Sequence, residues 1–345
     1  MKAWQVVRNG RPSEALELLD IERPTPQAGE LRIETRATAC NLNEVDGCYG
    51  RYKTVDPPLP YTLGMEAVGI VDAVGSGLEK WLGRRVMLTG TNATGAHAES
   101  VVGQVDMAFD CPDALSDLEA AAFYFPFHVA ALSLIERGRI AAGETVLVHG
   151  GAGGVGSAAV QLAVAEGARV IATAGSSEKV ARCRELGADV AIDYRAESFA
   201  EAVLDATDRR GVDLVCDLVG GDVTKESLRC LAYGGRLMLT GFSSGIEAED
   251  EAGLLPRPII FANASISGVL MAYGNPDLLK GTGINLVPRD RALEIEAHLE
   301  RHLAAGRIRP IIGRRASFEA LPEELERMER RETMGRTILE WSAAS

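Results

Sequence analysis

The sequence lacks a paired-cysteine motif, a long uncharged apolar run and an excess of basic charge. Its six cysteines are scattered without a CxxC pair, which in 345 residues predicts reduced thiols in a cytoplasmic protein. No run approaches the roughly 18 uncharged apolar residues of a membrane span, so we expect no membrane partner. The formal net charge is −13, and so acidic a surface repels the phosphates of nucleic acid.

The overall composition is typical of a globular protein. Hydrophobic residues make up 46% of the chain and charged residues 25%, and 345 residues are enough for two domains. The first 20 residues alternate apolar and polar side chains and carry charge early, which predicts a strand of the fold and not a signal peptide.

Two patterns of sequence alternate along the chain. Up to about Asp117, β-branched segments broken by Gly and Pro predict short strands joined by turns. From Leu118, buried apolar strands such as TVLVHG alternate with helices that end at glycine, which predicts a parallel sheet covered on both faces. The predicted domains are 1–120, 121–272 and, as a return to the first domain, 273–345.

A glycine-rich loop follows the first strand of the alternating region. Gly151, Gly153 and Gly156 form a GxGxxG between a buried strand and a helix, in a βαβ unit of about 30 residues, which is typical of dinucleotide-binding proteins. There the backbone approaches a pyrophosphate and the helix start supplies amides. A flexible turn is the alternative, whereas a P-loop is excluded because no Lys follows the last glycine. With Gly154 and Val155, these glycines are the predicted cofactor loop.

The next strand discriminates between dinucleotides. An NAD site usually places an acid about 20 residues past the loop, where it binds the ribose 2′-hydroxyl. Here Ala174 and Gly175 are followed by Ser176 and Lys179, and small hydroxyls with a cation favour a 2′-phosphate. Lys179 has a second interpretation as a solvated helix residue. Because the acid is missing as well, the sequence predicts NADPH.

Several segments in a fixed order resemble one known family. PYTLGMEAVGIVDAVG, VLVHGGAGGVG, VDLVCDLVGG and ERRETMGRTIL are similar in order and spacing to the zinc-independent quinone oxidoreductase (zeta-crystallin-like) family of the medium-chain dehydrogenase/reductase superfamily. The resemblance covers nearly the whole chain. It implies an α/β protein with a GroES-like, β-rich catalytic domain and a Rossmann domain of doubly wound parallel sheet, NADPH between them, and a homodimer.

The resemblance also assigns cofactor contacts. Its 2′-phosphate ligands are a Ser, a Lys, a Tyr after the third strand and an Arg near the C-terminus, and two backbone segments flank the nicotinamide. The corresponding positions are Ser176, Lys179, Tyr194 and Arg331 for the phosphate, and Gly241, Phe242 and Val269 for the nicotinamide.

Zinc-dependent relatives bind their metal through a Cys, the His of a G-H-E motif and a further ligand. Here the G-H-E position is occupied by Gly64–Met65–Glu66. The four-cysteine lobe that often binds a structural zinc in such relatives is missing as well. His298 and His302 have i, i+4 spacing but lack the Glu of HExxH and lie on a polar helix, which predicts surface histidines. The other three histidines are isolated in the sequence. We therefore expect no zinc site.

Without a Lewis acid, the expected chemistry is hydride donation to an electron-poor acceptor, which needs a donor for the developing oxyanion and a proton source. The family's Asn aligns with Asn41, with Asn43 as the other possibility, and its Tyr aligns with Tyr52. Asn41 either orients the nicotinamide ribose or the substrate, or caps a turn. Tyr52 either donates the proton, as proposed for enoyl-thioester reductases, or covers the cleft.

The sequence thus predicts an NADPH-dependent, zinc-independent reductase of a small apolar quinone, enone or enal. Two alternatives remain open: a 2-enoyl-thioester reductase, and a redox-inactive, crystallin-like nucleotide-binding protein.

Overall fold

The computed structural model of the chain describes residues 1–52, 57–245, 253 and 256–341, and the chain divides into two compact units. The first unit comprises Met1–Tyr124, Ala272–Leu293 and Pro310–Ser345, and the second comprises Phe125–Met271 and Glu294–Arg309. The second unit therefore includes a helical segment that follows residue 273.

The first unit is built on β-sheets that are mainly antiparallel. Its strands are β1 (Lys2–Val6), β2 (Leu16–Asp20), β3 (Glu30–Ala39), β4 (Tyr61–Thr62), β5 (Glu66–Val74), β6 (Arg85–Thr89), β7 (Ser100–Gln104), β8 (Ala108–Asp110), β15 (Ile312–Ser317) and β16 (Arg336–Glu340). A three-stranded sheet has the order β2-β1-β4, and a larger one the order β15-β16-β3-β5-β6-β8, with β7 paired to β3. Glycines and prolines interrupt the apolar segments often enough to keep these strands short.

Helices and a buried aromatic cluster close this unit. Trp4 donates from Nε1 to the carbonyl oxygen of Phe318 at 2.9 Å, and the Phe318 ring stacks on that of Trp341. These contacts join the start of the unit to its last segment, and burial of each large apolar side chain contributes about 1.5–3 kcal/mol. The helices are α1 (Pro12–Ala15), α2 (Leu42–Tyr49), α3 (Asp117–Ala131), which continues into the second unit, and α10 (Leu321–Glu329).

The second unit contains a wholly parallel six-stranded sheet. Its strands are β9 (Thr145–Val148), β10 (Arg169–Ala174), β11 (Val190–Asp193), β12 (Val212–Asp217), β13 (Leu231–Leu239) and β14 (Ser265–Gly268). Their order is β11-β10-β9-β12-β13-β14. In chain order this is 3-2-1-4-5-6, the doubly wound order of the Rossmann fold that the sequence predicts.

Helices connect these strands and cover the sheet. Every residue of β9 is buried, as expected for a central strand covered on both faces. The helices are α4 (Gly154–Ala165), α5 (Ser177–Glu185), α6 (Phe199–Ala206), α7 (Asp222–Ser227), α8 (Pro256–Ala262) and α9 (Arg289–Ala304), of which α9 begins in the first unit.

One segment, Asp117–Arg137, is long and apolar enough by composition to cross a bilayer. The expectation that no stretch approaches such a span was therefore wrong for this segment. However, 78% of its most apolar window is buried inside the fold, as in the core helix of a globular protein.

Candidate functional site

The predicted cofactor residues of the second unit follow the carboxyl ends of its strands. Because all six strands are parallel, these ends lie along one edge of the sheet, and the strand order reverses between β9 and β12, where ligands bind in such sheets. The glycine loop follows β9, Ser176 follows β10 and Tyr194 follows β11. Gly241 and Val269 follow β13 and β14. The topology thus gathers residues that are far apart in sequence.

The glycine loop makes a tight turn that leaves no room for a side chain at Gly156. Gly150 has φ +64°, and the Gly153 amide donates to the Gly150 carbonyl at 2.9 Å. A Cβ at Gly156 would lie only 2.1 Å from that same carbonyl oxygen, and one at Gly151 would lie 3.0 Å from side chains of β10 and α5. Glycine is therefore a steric requirement at Gly156, where the helix packs against the loop.

The start of α4 has the features of an anion-binding site. The first amide to bond within this helix belongs to Ser157, which donates to the Gly153 carbonyl at 2.9 Å. The preceding amides of Gly154, Val155 and Gly156 have no acceptor in the helix, and they lie at the positive end of its dipole. This arrangement suits a pyrophosphate.

The turn after β10 brings Tyr194 close to the segment that begins with Ser176, two of the residues assigned to the 2′-phosphate. Ser176 is the N-cap of α5, and its hydroxyl accepts a hydrogen bond from the Lys179 amide at 3.3 Å. A Cβ at Gly175 would lie 2.5 Å from the Tyr194 hydroxyl and 3.3 Å from Nε of Arg195, so both side chains cover this turn. Sequence reasoning missed Arg195, although it directly follows Tyr194 and carries the charge expected beside a phosphate.

The residues assigned to the nicotinamide lie beyond β13 and β14. The Gly241 amide donates to the Asp217 carbonyl at 3.1 Å, and the Val269 amide donates to the last residue of β13 at 3.0 Å. Phe242 follows Gly241 on the same edge of the sheet. Arg331, the remaining phosphate ligand implied by the family, belongs to the first unit, in the turn after α10.

Asn41 is a buried helix cap in the first unit. It is the N-cap of α2 and is 4% exposed, and its backbone amide donates to Oε2 of Glu44 at 3.0 Å in a capping box. Its side-chain oxygen accepts from Nη1 of Arg336 at 2.9 Å. The structure thus shows the capping arrangement that the sequence left open as one of two roles.

A buried cluster of charged residues surrounds this cap. The guanidinium of Arg336 bonds to the carboxylate of Glu66, and His97 Nε2 lies 3.0 Å from Oε2 of Glu44. Burial acts to raise the pKa of Glu44, but the attraction and hydrogen bond of His97, together with hydrogen bonds from the backbone amides of Asn41 and Met65, outweigh burial and lower that pKa. Sequence reasoning missed this cluster, because Arg336 lies 270 residues from Glu66 and His97 lies 53 from Glu44.

The residues at the zinc position of the related enzymes do not fit a catalytic zinc. The Cys ligand of those enzymes aligns with Asn41, and Cys40 lies one residue before it. Burial, together with the nearby Glu44 carboxylate, raises the pKa of the Cys40 thiol well above its ordinary value, whereas zinc binds the thiolate. Glu66 is neutralised by Arg336, and Met65 offers only a thioether in place of an imidazole.

Tyr52 lies beyond the other end of α2, at a pocket. Gly50 ends the helix with φ +68°, which turns the chain toward this pocket. Asn41 and Tyr52 therefore flank opposite ends of a helix that is about 12 Å long, and the structure does not bring the two residues together. The pocket has a volume of about 350 Å³ and is lined by Asn9, Gly47, Gly50, Tyr52, Pro57, Pro58, Leu59 and Tyr61.

A Rossmann sheet with a glycine loop at its switch point, next in the chain to a β-rich unit, defines a nucleotide-dependent oxidoreductase fold. Residues 27–113 match the alcohol dehydrogenase GroES-like domain, and residues 154–281 match the zinc-binding dehydrogenase family. Rat quinone oxidoreductase is 30% identical over 321 residues, which cover 91% of this chain and 89% of that enzyme. The chain belongs to the quinone oxidoreductase family of the medium-chain dehydrogenase/reductase superfamily.

Two further relatives show how far the similarity extends in structure and in sequence. The structure of Escherichia coli quinone oxidoreductase complexed with NADPH has a TM-score of 0.84 and 28% identity, with 99% of this chain and 100% of that chain covered. A mycocerosic acid synthase-like polyketide synthase of Mycolicibacterium smegmatis is 35% identical over 80% of this chain. The chain spans only 13% of the length of that synthase. The predicted GroES-like and Rossmann architecture is confirmed.

Proposed function

We propose that this chain is an NADPH-dependent reductase that transfers a hydride to a quinone or to an activated enone or enal. The turn after β10 is the observation that carries the proposal, since Ser176, Tyr194 and Arg195 meet there at the first turn of the helix that holds Lys179. Ala174 and Gly175 stand where an NAD site usually has its acid. The E. coli relative complexed with NADPH supports this choice of cofactor.

The choice of acceptor follows from the buried charges of the first unit. Bound NADPH supplies a hydride from C4 of its nicotinamide. Because the carboxylate of Glu66 is paired with Arg336, it is already engaged by a cation where related enzymes hold the metal that lowers the pKa of an alcohol. A conjugated carbonyl or a quinone needs no such activation, since it accepts the hydride and places negative charge on an oxygen that a hydrogen-bond donor can stabilise.

Tyr52 is the proposed donor for that oxygen. Its phenol lies in the wall of the 350 Å³ pocket, and a phenol can both donate a hydrogen bond and release a proton. Asn41 is proposed as a positioning residue, because its side chain is buried and bonded to Arg336, and because it caps the helix that leads to Tyr52.

An acceptor panel tests the proposal directly. The consumption of NADPH and of NADH is followed by absorbance with 1,4-quinones, enones, enals and saturated aldehydes. We expect turnover of quinones or conjugated carbonyls, with NADPH preferred. Binding of NADPH without turnover of any acceptor would instead support the crystallin-like alternative.

Reduction of 2-enoyl thioesters is a second candidate function. The 35% identity with a polyketide synthase favours it, and a 2-enoyl thioester is also a conjugated carbonyl. A pantetheine-linked 2-enoyl thioester belongs in the same panel. A kcat/KM for this thioester above that for every quinone would select the second candidate.

A homodimer through the Rossmann sheets is also proposed. Strand β14 is an edge of the sheet among the described residues, and such an edge presents unpaired backbone groups. Ile260, Phe261 and Leu270 lie near it in sequence and are 67%, 76% and 51% exposed, which is apolar area that a second copy would cover. Light scattering after gel filtration measures the mass, and a monomer at micromolar concentration would contradict the proposal.

A further inference from the structure

Three metal-binding side chains converge in the second unit at a place that the proposed reaction does not use. Oε1 of Glu166 lies 2.6 Å from Nε2 of His298 and 2.7 Å from Nε2 of His302. The two Nε2 atoms are 3.1 Å apart. The three atoms therefore form a compact triangle, each within 3.1 Å of the other two.

Two helices, α4 and α9, place these three atoms together. Glu166 is the C-cap of α4, and the two histidines are one turn apart on α9, so they share a face of that helix. The side chain of His302 is 5% exposed, whereas those of His298 and Glu166 are 28% and 22% exposed. The prediction of surface histidines was therefore wrong for His302, whose partner Glu166 is 136 residues away. The partial exposure of the other two side chains leaves access from solvent.

Hydrogen bonds alone do not explain this arrangement well. Arg301 donates to Nδ1 of His298 at 3.1 Å, so the proton of neutral His298 is on Nε2. Nδ1 of His302 is buried without a hydrogen-bond partner, which leaves Nε2 as the atom through which this ring interacts. Two imidazole nitrogens thus crowd onto a single carboxylate oxygen. A single cation among them would satisfy all three atoms.

The distances suit a transition metal. Tetrahedral zinc ligands at 2.0–2.1 Å from the metal lie about 3.3 Å apart, which needs only a small expansion of the observed triangle.

We propose that Glu166, His298 and His302 bind one divalent transition-metal ion, of which Zn²⁺ is the best match, with solvent completing the coordination. Two imidazoles and one carboxylate are a donor set that zinc accepts. On binding, any proton on Nε2 of either histidine moves to Nδ1 of the same ring, and the exposed side chain of Arg301 turns away from His298. The ion joins α9 to the end of α4.

The site is structural and not catalytic. Glu166 lies at the opposite end of α4 from the glycine loop, about 18 Å along the helix axis. Bound metal would instead fasten Glu294–Arg309 to the rest of the second unit. The main chain of Arg309 already bonds there to the side chain of Gln161, with its amide donating at 2.9 Å and its carbonyl accepting at 3.0 Å.

Titration of the whole chain tests the site. Protein freed of metal with a chelator is titrated with Zn²⁺ by calorimetry and with Co²⁺ by visible absorption. We expect one equivalent of each, a Co²⁺ spectrum displaced by Zn²⁺, and a thermal midpoint that rises with free Zn²⁺. Failure to bind one equivalent of either ion would overturn the proposal.

Variants separate the site from adventitious binding. His298→Gln and Glu166→Gln change partly exposed side chains and should leave the fold intact. Each removes a direct ligand and should weaken Zn²⁺ binding by more than the roughly 10- to 100-fold that follows the loss of an outer partner. Glu185→Gln makes the same change at an exposed carboxylate paired with Arg182 and should leave binding unchanged. Undiminished binding in His298→Gln would also overturn the proposal.

Discussion

Replacing Arg336 with methionine should lower the free energy of unfolding of the first unit by about 3–5 kcal/mol, the range for breaking a buried ion pair from one side. Arg336 is 6% exposed and Glu66 is 1% exposed, so water cannot replace the lost guanidinium. The buried carboxyl must then take up a proton, which at pH 7 costs about 3.7 kcal/mol for a group of ordinary pKa. The lost hydrogen bond to Asn41 adds about 1 kcal/mol.

The same reasoning predicts the pH dependence of this loss. At pH 5 the proton costs about 2.7 kcal/mol less than at pH 7, so the gap between Arg336→Met and the wild type should narrow by that amount. The double variant Glu66→Gln/Arg336→Met removes the stranded charge and should recover part of the stability.

Tryptophan fluorescence during urea unfolding measures this effect in the relevant unit. All three tryptophans, Trp4, Trp81 and Trp341, belong to the first unit. Arg8→Met is the matched control in the same unit, since Arg8 is 61% exposed and its surface ion pair with Glu17 should contribute no more than about 1 kcal/mol. An Arg336→Met variant that is as stable as this control at pH 7 would refute the reasoning.

The remaining predictions concern the cofactor, the reaction and pH. Lys179→Glu should remove the preference for NADPH over NADH, because the new carboxylate repels the 2′-phosphate; titration with both dinucleotides measures this preference. Gly156→Ala should abolish dinucleotide binding, because its Cβ would lie 2.1 Å from a carbonyl oxygen of the loop. Tyr52→Phe should slow the reduction of enones more than that of quinones, which can take their proton from water, as measured by kcat. Burial lowers the pKa of His149 to about 4, and the unfolded chain binds this proton from about pH 6.5 downward. The free energy of unfolding should therefore fall between pH 6.5 and pH 4 and fall less steeply in His149→Gln, as followed by circular dichroism.

Matched controls make these outcomes decisive. Lys80→Glu reverses an exposed charge in the first unit and should leave the cofactor preference unchanged. Gly10→Ala adds a Cβ whose nearest neighbour is 3.6 Å away and should bind normally. Equal affinities for NADPH and NADH in the wild type would contradict the phosphate assignment. Unchanged rates for both acceptors in Tyr52→Phe would remove this phenol from the mechanism.

The parts predicted well from sequence are those whose determinants are close in the chain. The glycine loop is one, because strand, turn and helix follow each other within about 20 residues and only glycine fits the close approach at Gly156. The parallel sheet is another, because continuous apolar strands between helices have few other ways to be covered.

The parts missed depend on pairings across long stretches of chain. Nothing near Glu66 indicates that Arg336 will neutralise it, and His97 looks isolated until β3 and its neighbours bring it to Glu44. For His298 and His302, the sequence showed two of the three residues of the cluster. Their i, i+4 spacing was visible, but the third ligand, Glu166, belongs to a helix that the tertiary fold alone brings beside α9.

The position of β16 also constrains the order in which the first unit can fold during synthesis. This strand, Arg336–Glu340, lies between β3 and β15 within the larger sheet of the first unit. During synthesis, the last residues of β3, Ala37–Ala39, therefore lack this partner until the entire Rossmann sheet has emerged from the ribosome, although the first half of β3 can already pair with β7. Glu66 also lacks its counter-ion until then, because Arg336 is the first residue of the same late strand. A nascent chain stalled before residue 336 would expose both a strand edge and an uncompensated carboxylate, which makes it a natural substrate for chaperones.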